Sequence, residues 1–515
     1  MHKISIGISL LGLMLVLNTS AQEGRMVLKP EMMKMDVNYF NSLDSEDVKN
    51  AIVNAATYDF LSKEIPLFNC PDSAIQKIYY YRWWTLRKHL KSTPDGFVFT
   101  EFITNMKHGG KYNAISSAVG HQLNEARWFY NSDIAKQYAN FWLNVDLKEK
   151  SPHFHNFSSW FAWSVLDLYK VNLDNNFINN NLQALNLDYQ KWEKERQLAD
   201  HSFWQYDVKD AMEESISGGR KDKNIRPTIN SYMFGNATAM STLSGLVGVD
   251  SLKNKFRLKA DELKNIVQNK LWNDSASFFE VEKEKGGFSN AREAIGFIPW
   301  YFNLPNDNVK YSKAWKQVID TTGFSAPWGL TTAERRHPGF RTHGSGHGCE
   351  WDGAVWPYAT TQTLKAMANF INNYTKHGAI NNQVFYNEFH KYAMSHIISG
   401  RTYIGEYQDE KTGGWLKGDI LRSRFYNHSG FVDLVIADLV GFKPQTDNTL
   451  VIQPLIPQKQ WDWFCLDGVK YHGKDLTILW DKTGTKYGKG KGFLVFEDGK
   501  LIHQSKKLKS IKATL

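Results

Sequence analysis

Two acid-rich segments, far apart in the chain, carry the residues best suited to acid–base chemistry. The first runs from Trp204 to Ser215 and contains Asp210, Glu213 and Glu214, which lie within one turn if the segment is helical. Like charges at that spacing repel and burial favours the neutral carboxyl group, so one of them would keep its proton, as a general acid must. The alternative is a solvated acidic helix start, against which the flanking aromatic residues argue.

The second segment runs from Tyr403 to Trp415 and places Glu406 inside a frame of aromatic residues. Asp409 and Glu410, beside a Lys-Thr-Gly-Gly turn, are typical of an exposed loop. Hydrolysis of a glycosidic bond with inversion needs one protonated carboxyl group for the leaving oxygen and one carboxylate to activate water. We predict that Asp210 and Glu406 form this pair, provided that the fold brings them face to face.

Indole rings and carboxylates are compressed into one turn near residue 350. Trp351, Asp352 and Trp356 lie within six residues, and a helix is predicted to follow this turn. Turns favour small polar residues, and a half-exposed indole is costly. Aromatic faces beside acceptor oxygens suit sugars, so the segment indicates a carbohydrate site.

Basic residues crowd the approach to this turn. Arg335 and Arg336 are either plain surface charges or a clamp for a carboxylate or sulfate, which a guanidinium binds bidentately. His343 and His347 have a spacing seen in metal sites, but the glycines between them indicate a loop and no third ligand is in register. We therefore predict no metal and no cofactor.

The chain resembles a group of glycosidases with an (α/α)6 toroid that includes trehalases, processing α-glucosidase I and mannosylglycerate hydrolase. The resemblance extends through most of the chain. The stretches that carry it are 98–102, 120–128, 210–213, 226–235, 296–301, 351–364, 406–407 and 471–473.

The resemblance implies that Asp210 is the acid and Glu406 the base. The further substrate-binding residues that we predict are Trp351, Asp352, Trp356, Trp204, Glu213, Arg226, Asn230, Tyr232, Glu125, Arg335, Arg336 and His121. Three positions depart from the group's pattern: Asp352 stands where Asn is usual, Ala354 where Pro is usual, and Ala211 where Gly is usual.

The elements that must position these residues are mainly helical. Apolar residues recur at helical spacing in stretches such as 73–90, 182–196, 258–271 and 361–374. After about residue 441 the residue pattern changes to short runs of residues that favour β-strands, among them 450–452, 476–480 and 492–496. We predict a mainly α fold, with a signal peptide at 1–21, an (α/α)6 toroid at 22–440 and a small antiparallel β-sandwich at 441–515.

The first residues are typical of an export signal. Lys3 precedes an apolar stretch from Ile4 to Leu17, and Thr19-Ser20-Ala21 fits a cleavage site. No later stretch is apolar for long enough to predict a membrane span. We expect an exported protein, periplasmic or secreted. The net charge of +9 is either a solvated surface or an attraction to a polyanion. Outside the cell an acidic polysaccharide is a more natural polyanion than nucleic acid.

Three functions are compatible with these residues. The first is an inverting exo-glycoside hydrolase acting on oligosaccharides of an acidic polysaccharide, uronated or sulfated. The second is a dehydratase or lyase that acts on a terminal uronic acid, because fold alone does not determine chemistry. The third is a protein that binds glycans without catalysis.

Overall fold

The computed structural model describes residues 25–342 and 348–515. Its α-helices are α1 Lys34–Ser42, α2 Thr57–Glu64, α3 Ser73–Lys88, α4 Val119–Ala126, α5 Asp133–Asn140, α6 Phe161–Asn172, α7 Asn175–Arg196, α8 Pro227–Leu246, α9 Asp250–Ile266, α10 Ile298–Tyr301, α11 Val309–Ser312, α12 Pro357–Asn373 and α13 Asn382–Ser395. The π-helical segments Phe141–Val145, Val267–Leu271 and Leu434–Leu439 extend this helical body. The predicted export signal lies outside the described residues.

An inner ring of helices surrounds the core. Helix α4 packs on α6, α6 on α8, α8 on α10, α10 on α12, and α12 on the segment Leu434–Leu439. Glu125 Oε1 closes the ring by accepting hydrogen bonds from the backbone N–H groups of Phe431 (2.6 Å) and Val432 (2.7 Å). Outer helices α5, α7, α9 and α13 pack against this ring. The predicted (α/α)6 toroid is confirmed.

Local sequence explains where these helices begin. Asp72 caps α3 by accepting hydrogen bonds from the backbone N–H groups of Ala74 and Ile75. Pro227 and Pro357 occupy the first turns of α8 and α12, where no backbone donor is lost. Helix α8 is buried on nearly every side over its first three turns, as an inner helix of two concentric rings must be.

The C-terminal part is an antiparallel β-sandwich, as predicted. The strands of the main sheet are β1 Leu67–Asn69, β13 Trp463–Tyr471, β14 Lys474–Asp481, β15 Gly492–Glu497 and β16 Lys500–Ser505, in that order. A second pair joins β12 Thr449–Ile452 to β17 Ile511–Thr514. The other strands form two-stranded ribbons in the helical body: β2 Leu90–Thr93 with β3 Gly96–Phe99, β4 Trp204–Gln205 with β5 Asn224–Ile225, β6 Trp272–Asn273 with β7 Phe278–Phe279, β8 Ser325–Ala326 with β9 Gly329–Leu330, and β10 Ile397–Ile398 with β11 Arg401–Thr402.

One strand of the main sheet comes from the N-terminal half of the chain. Strand β1 pairs with β13, so that Leu67 faces Asp467 and Asn69 faces Cys465. The helical elements end at Leu439 and the next strand starts at Thr449. The division at residue 440 remains a prediction, but the sheet draws one of its strands from residues before that boundary.

The described ranges lack two kinds of feature. Within 25–342 and 348–515, no helix has the length and apolar character needed to cross a membrane. The same ranges contain no cluster of three or more His, Cys, Asp or Glu residues arranged to hold a metal ion. His343 and His347 lie outside the described residues.

Candidate active site

A small pocket in the helical body is lined by three carboxyl groups. Glu101, Glu213 and Glu406 line it, and we call it the acid pocket. Its volume is about 90 Å³, room for several water molecules. The aromatic residues of its wall are Phe102, Phe157, Trp351, Trp356, Tyr358 and Tyr426. Residues from distant parts of the chain therefore meet in one enclosed, aromatic-walled space.

Glu213 reaches the pocket from a tight turn rather than from a helix. A single 3-10 turn ends at Lys209, and Ala211 and Glu214 then adopt left-handed backbone angles (φ +60° and +66°). This conformation is costly for residues with a side chain, and Ala211 is the position at which the resemblance described above implies Gly. Burial raises the pKa of Glu213 to about 7, and the negative charges of Asp207 and Glu406 act in the same direction.

Glu406 lies in the loop that follows β11. Its Oε1 is 3.5 Å from the Arg422 guanidinium and accepts a hydrogen bond from Ser423 Oγ at 3.5 Å. Burial raises its pKa, but the positive charges of Arg422 and Lys417 oppose this effect. The cations beside Glu406 therefore limit the rise of its pKa and favour its ionised form.

Glu101 is a third carboxyl group that sequence reasoning did not assign to the site. It accepts hydrogen bonds from Ser117 Oγ (2.6 Å) and Tyr426 OH (2.5 Å). Burial raises its pKa to about 7 despite these two donors, and Glu406 and Glu213 add to the rise. The sequence did contain a hint of this role, because Glu101 lies in 98–102, one of the stretches that resemble the glycosidase group.

The structure places Asp210, the predicted partner of Glu406, against Arg226. Arg226 Nε donates a hydrogen bond to its Oδ2 at 2.7 Å, and both side chains are fully buried. Asp210 is not among the described residues that line the acid pocket. The reason lies in the backbone: the expected helix is replaced by a turn, which directs Asp210 inward onto Arg226 and Glu213 into the pocket.

The aromatic turn near residue 350 forms one wall of the pocket, as its composition suggested. Trp351 stacks on Trp356 with ring centroids 4.4 Å apart, and Trp356 stacks on Tyr407 at 4.5 Å. Trp356 Nε1 donates to the backbone carbonyl of Glu350 at 3.0 Å. Asp352 lies behind this wall and lines a neighbouring cleft, where Arg341 holds its Oδ2.

Several other predicted binding residues form hydrogen bonds or ring contacts within the protein interior. Asn230 pairs with the backbone of Phe203, and Tyr232 OH accepts a hydrogen bond from Gln362 at 2.6 Å. His121 lies edge-on between Trp160 and Tyr358, each 4.8 Å away, and its burial lowers its pKa to about 3. Glu125 is also buried, and its Oε1 is bound to the backbone N–H groups of Phe431 and Val432.

The remaining predicted residues lie towards the surface. Trp204 is covered by the cations of Arg196 and Lys223, 4.7 and 5.0 Å from its ring. Arg336 pairs with Asp320 at 2.5 Å, and Arg335 donates to the backbone carbonyl of Thr321 at 2.7 Å. None of these three belongs to the described lining of the acid pocket.

The stretch after Glu406 supplies residues that sequence reasoning missed. Arg422, Tyr426 and His428 all line the pocket. His428 is buried, and neither ring nitrogen has a hydrogen-bond partner in the part of the chain that the structure describes. Burial holds its pKa well below the usual value, so the neutral ring has one donor and one acceptor to offer a ligand. The run Tyr-Asn-His at 426–428 was a usable signal.

Solved structures that resemble this chain include glycosidases. A structure named "Sialidase" has 47% sequence identity and a TM-score of 0.93, and the match covers 96% of this chain but 45% of that chain. This chain therefore spans less than half of that protein. The mannosylglycerate hydrolase from Thermus thermophilus, in complex with Tris, has 12% identity and a TM-score of 0.54 over 69% of this chain and 99% of that chain.

The α-L-rhamnosidase from Dictyoglumus thermophilum shares the fold at 14% identity, with a TM-score of 0.52 over 88% of this chain and 49% of that chain. Residues 443–502 match the C-terminal domain of glycosyl hydrolase family 65. Residues 111–429, which make up more than half of the chain, match the mannosylglycerate hydrolase MGH1-like glycoside hydrolase domain. The chain belongs to this family of glycoside hydrolase domains.

Proposed function

We propose that this protein hydrolyses glycosidic bonds with inversion and releases the terminal sugar of an oligosaccharide. One observation carries the proposal: Glu213 and Glu406, almost two hundred positions apart, line the same aromatic-walled pocket. Burial and two neighbouring acids raise the pKa of Glu213 to about 7; burial also raises the pKa of Glu406, but Arg422 and Lys417 limit that rise. Different environments for two carboxyl groups are what an acid and a base require.

The proposed mechanism uses one proton donor and one proton acceptor. Glu213 donates its proton to the glycosidic oxygen as the bond to the anomeric carbon breaks, so the leaving group departs as an alcohol. Glu406 accepts a proton from the water that attacks the anomeric carbon from the opposite face. Exchange with solvent then returns the proton to Glu213 and removes it from Glu406. The assignment moves the acid role from Asp210, as predicted from the sequence, to Glu213.

An acidic terminal sugar is supported by the charges at the pocket. Arg422 lines it, and its guanidinium lies over the Phe102 ring at 5.0 Å. Two lysines lie nearby: Lys417 is over the Tyr407 ring at 5.7 Å, and Lys209 is over the Phe157 ring at 5.5 Å. A carboxylate or sulfate on the substrate would meet these cations. The small volume of the pocket favours the end of a glycan over an internal unit.

The test is substitution of each acid by its amide. Glu213→Gln removes the proton donor and Glu406→Gln removes the base, and each should reduce kcat by at least about 100-fold. Turnover would be measured by mass spectrometry on a panel of neutral and uronated oligosaccharides, and proton NMR of the first product would show the inverted anomer.

Glu262→Gln is the matched control, since the Glu262 side chain is 47% exposed and pairs with His201 at the surface. This variant should keep the activity of the parent protein. If Glu213→Gln retains that activity while Asp210→Asn abolishes it, the acid assignment is wrong. If no oligosaccharide of the panel is cleaved, the hydrolase proposal itself fails.

Elimination from a terminal uronic acid is the second candidate, and the position of Arg422 favours it. The guanidinium lies 3.5 Å from Glu406, where it would neutralise a substrate carboxylate as the base removes the neighbouring proton. The same panel separates the two reactions: hydrolysis adds one water to the products, whereas elimination produces an ultraviolet band from a new carbon–carbon double bond.

Export is proposed from the sequence of residues 1–21 alone. The expected outcome is recovery of the activity from the periplasmic fraction or the medium when the full chain is expressed in a bacterium. Recovery only from the cytoplasm, with the N-terminus intact, would contradict it.

A further inference from the structure

A second cleft lies on the far side of the turn that carries Glu213. We call it the side cleft; it has a volume of about 510 Å³ and is lined by Glu214, Ser215, Arg220, Gly339, Arg341 and Asp352, among others. Glu214 and Ser215 directly follow Glu213 in the chain, and Asp352 directly follows Trp351 of the acid pocket. The side cleft therefore adjoins the proposed acid and one aromatic wall of the acid pocket.

Two buried polar atoms in the side cleft have no hydrogen-bond partner within the described ranges. Arg341 directs its Nε and Nη2 to the same oxygen of Asp352, Oδ2, although the Asp352 side chain is only 3% exposed. The other oxygen, Oδ1, is buried and accepts no hydrogen bond from any described residue, and Ser215 Oγ is likewise unpartnered among them. Buried polar groups are normally satisfied, so these two indicate a ligand with hydroxyl groups.

The charges of the side cleft differ from those of the acid pocket. Its cations are already matched by acids of the chain: Arg341 by Asp352, and Arg220 by Glu214 at 3.2 Å. Asp207, a further acid, lines the same cleft. This set repels an additional anion, whereas a carboxylate oxygen and a hydroxyl group are good partners for an uncharged sugar.

We infer that the side cleft binds the leaving group as an uncharged sugar, whose hydroxyl groups bond to Asp352 Oδ1 and Ser215 Oγ. The inference rests on the proposed hydrolysis. The bond that breaks lies between the acid pocket and the side cleft, and Glu213 stands at that border to protonate the oxygen that stays with the departing sugar. The protein would then bind an acidic sugar in the acid pocket and a neutral sugar in the side cleft, one on each side of the bond that breaks.

The test compares two leaving groups attached to the same terminal sugar. The probes are 4-nitrophenyl glycosides and disaccharides with a neutral reducing sugar, chosen for the terminal sugar that the parent protein releases. Asp352→Asn keeps the shape but removes the charged acceptor. A hydrogen bond to a charged group contributes about 1.5–3 kcal/mol, so kcat/KM for the disaccharide should fall about 10- to 100-fold. The loss on the aryl glycoside should be several times smaller, and inhibition by the free reducing sugar should weaken in parallel.

Two further variants keep the test decisive. Ser215→Ala leaves the Asp352–Arg341 pair intact and should show the same selective loss, about 3- to 10-fold. Asp320→Asn removes the acid of the surface pair with Arg336 and should change neither reaction. Equal losses on both probes in Asp352→Asn and Ser215→Ala would overturn the leaving-group inference while the hydrolase proposal stands. If the parent protein cleaves neither class of probe, the proposed function fails and the inference fails with it.

Discussion

At the residue scale, the charges around Glu213 determine over which pH range it holds a proton. Its pKa is raised to about 7, mainly by burial, and the positive charge of Arg220 works against this rise. A general acid is active while protonated, so turnover should fall as the pH increases through about 7. Glu406 must be ionised, so turnover should also fall at low pH, below its own raised pKa. The expected profile is bell-shaped.

The substitution Arg220→Gln tests this account. It removes a cation that favours the ionised form of Glu213, so the pKa of Glu213 rises and the alkaline limb of the kcat profile should move to higher pH. Arg220 is more than half exposed, and one exposed charge corresponds to a shift of about 0.2–0.7 pH unit. The measurement is kcat across the neutral pH range, on both sides of the limb. Lys221→Gln, at an exposed neighbouring position, is the control. If the midpoint of the alkaline limb in Arg220→Gln stays at the same pH or moves to lower pH, the account is wrong.

At the scale of elements, a buried ion network joins the first and last parts of the inner ring. Asp433, just before the π-helical segment, accepts hydrogen bonds from Arg127 Nη2 (2.7 Å), Trp128 Nε1 (2.8 Å) and Lys365 Nζ (2.6 Å). Burial alone would raise the pKa of Asp433, but the charges of Arg127 and Lys365 hold it well below the usual value. The carboxylate is therefore ionised at neutral pH and holds α4 and α12 against the end of the ring.

Asp433→Asn should destabilise the protein, because Arg127 and Lys365 lose the buried counter-charge that they share and keep only Asp167 (3.6 Å) and Asp438 (3.0 Å) respectively. Breaking a buried pair in this way costs about 3–5 kcal/mol, which urea unfolding at neutral pH would measure. The control is Asp133→Asn, at a pair with Lys136 in which the Asp133 side chain is 66% exposed; its cost should be about 0–1 kcal/mol. Similar losses in the two variants would show that the network does not hold the ring together.

At the scale of the whole molecule, the β-sandwich ties the N-terminal segment to the helical body. Asp467 on β13 accepts hydrogen bonds from the backbone N–H groups of Met26 (3.2 Å), Val27 (2.7 Å) and Leu28 (2.6 Å). Strand β1 completes the same sheet. The sandwich therefore contributes to the fold of the whole chain and is more than an appended module.

Asp467→Ala should release the N-terminal segment and lower the stability of the protein. Loss of an ionised acceptor of several hydrogen bonds costs about 2–4 kcal/mol, and trypsin should cleave after Arg25 faster than in the parent protein. Unfolding curves and timed digestion followed by mass spectrometry would show both effects. Asp462→Ala removes a carboxylate of the same sandwich that is 65% exposed and should change neither; equal digestion rates in all three proteins would contradict the proposed tie.

Much of the fold was predictable because a helix or strand that buries one face carries apolar residues at a regular spacing. Apolar spacing located helices such as α3 and α12, and the β-rich runs at 450–452, 476–480 and 492–496 fall within β12, β14 and β15. The pairing of β1 with β13 was not predictable, since so short a strand carries no signal for a partner about four hundred positions away. The aromatic residues clustered around Trp351 and Glu406 in the sequence also indicated two parts of the pocket wall, because sugar rings pack on aromatic faces.

The residue types alone determined that carboxyl groups and indole rings are concentrated near positions 210, 350 and 406, and that helices must bring them together. Which carboxyl group faces the pocket was decided by tertiary structure, because two left-handed residues, Ala211 and Glu214, turn the backbone around Glu213. A helix would have placed Asp210 and Glu213 on one face, whereas the turn separates them. Side-chain direction follows from backbone angles that only packing can impose on non-glycine residues.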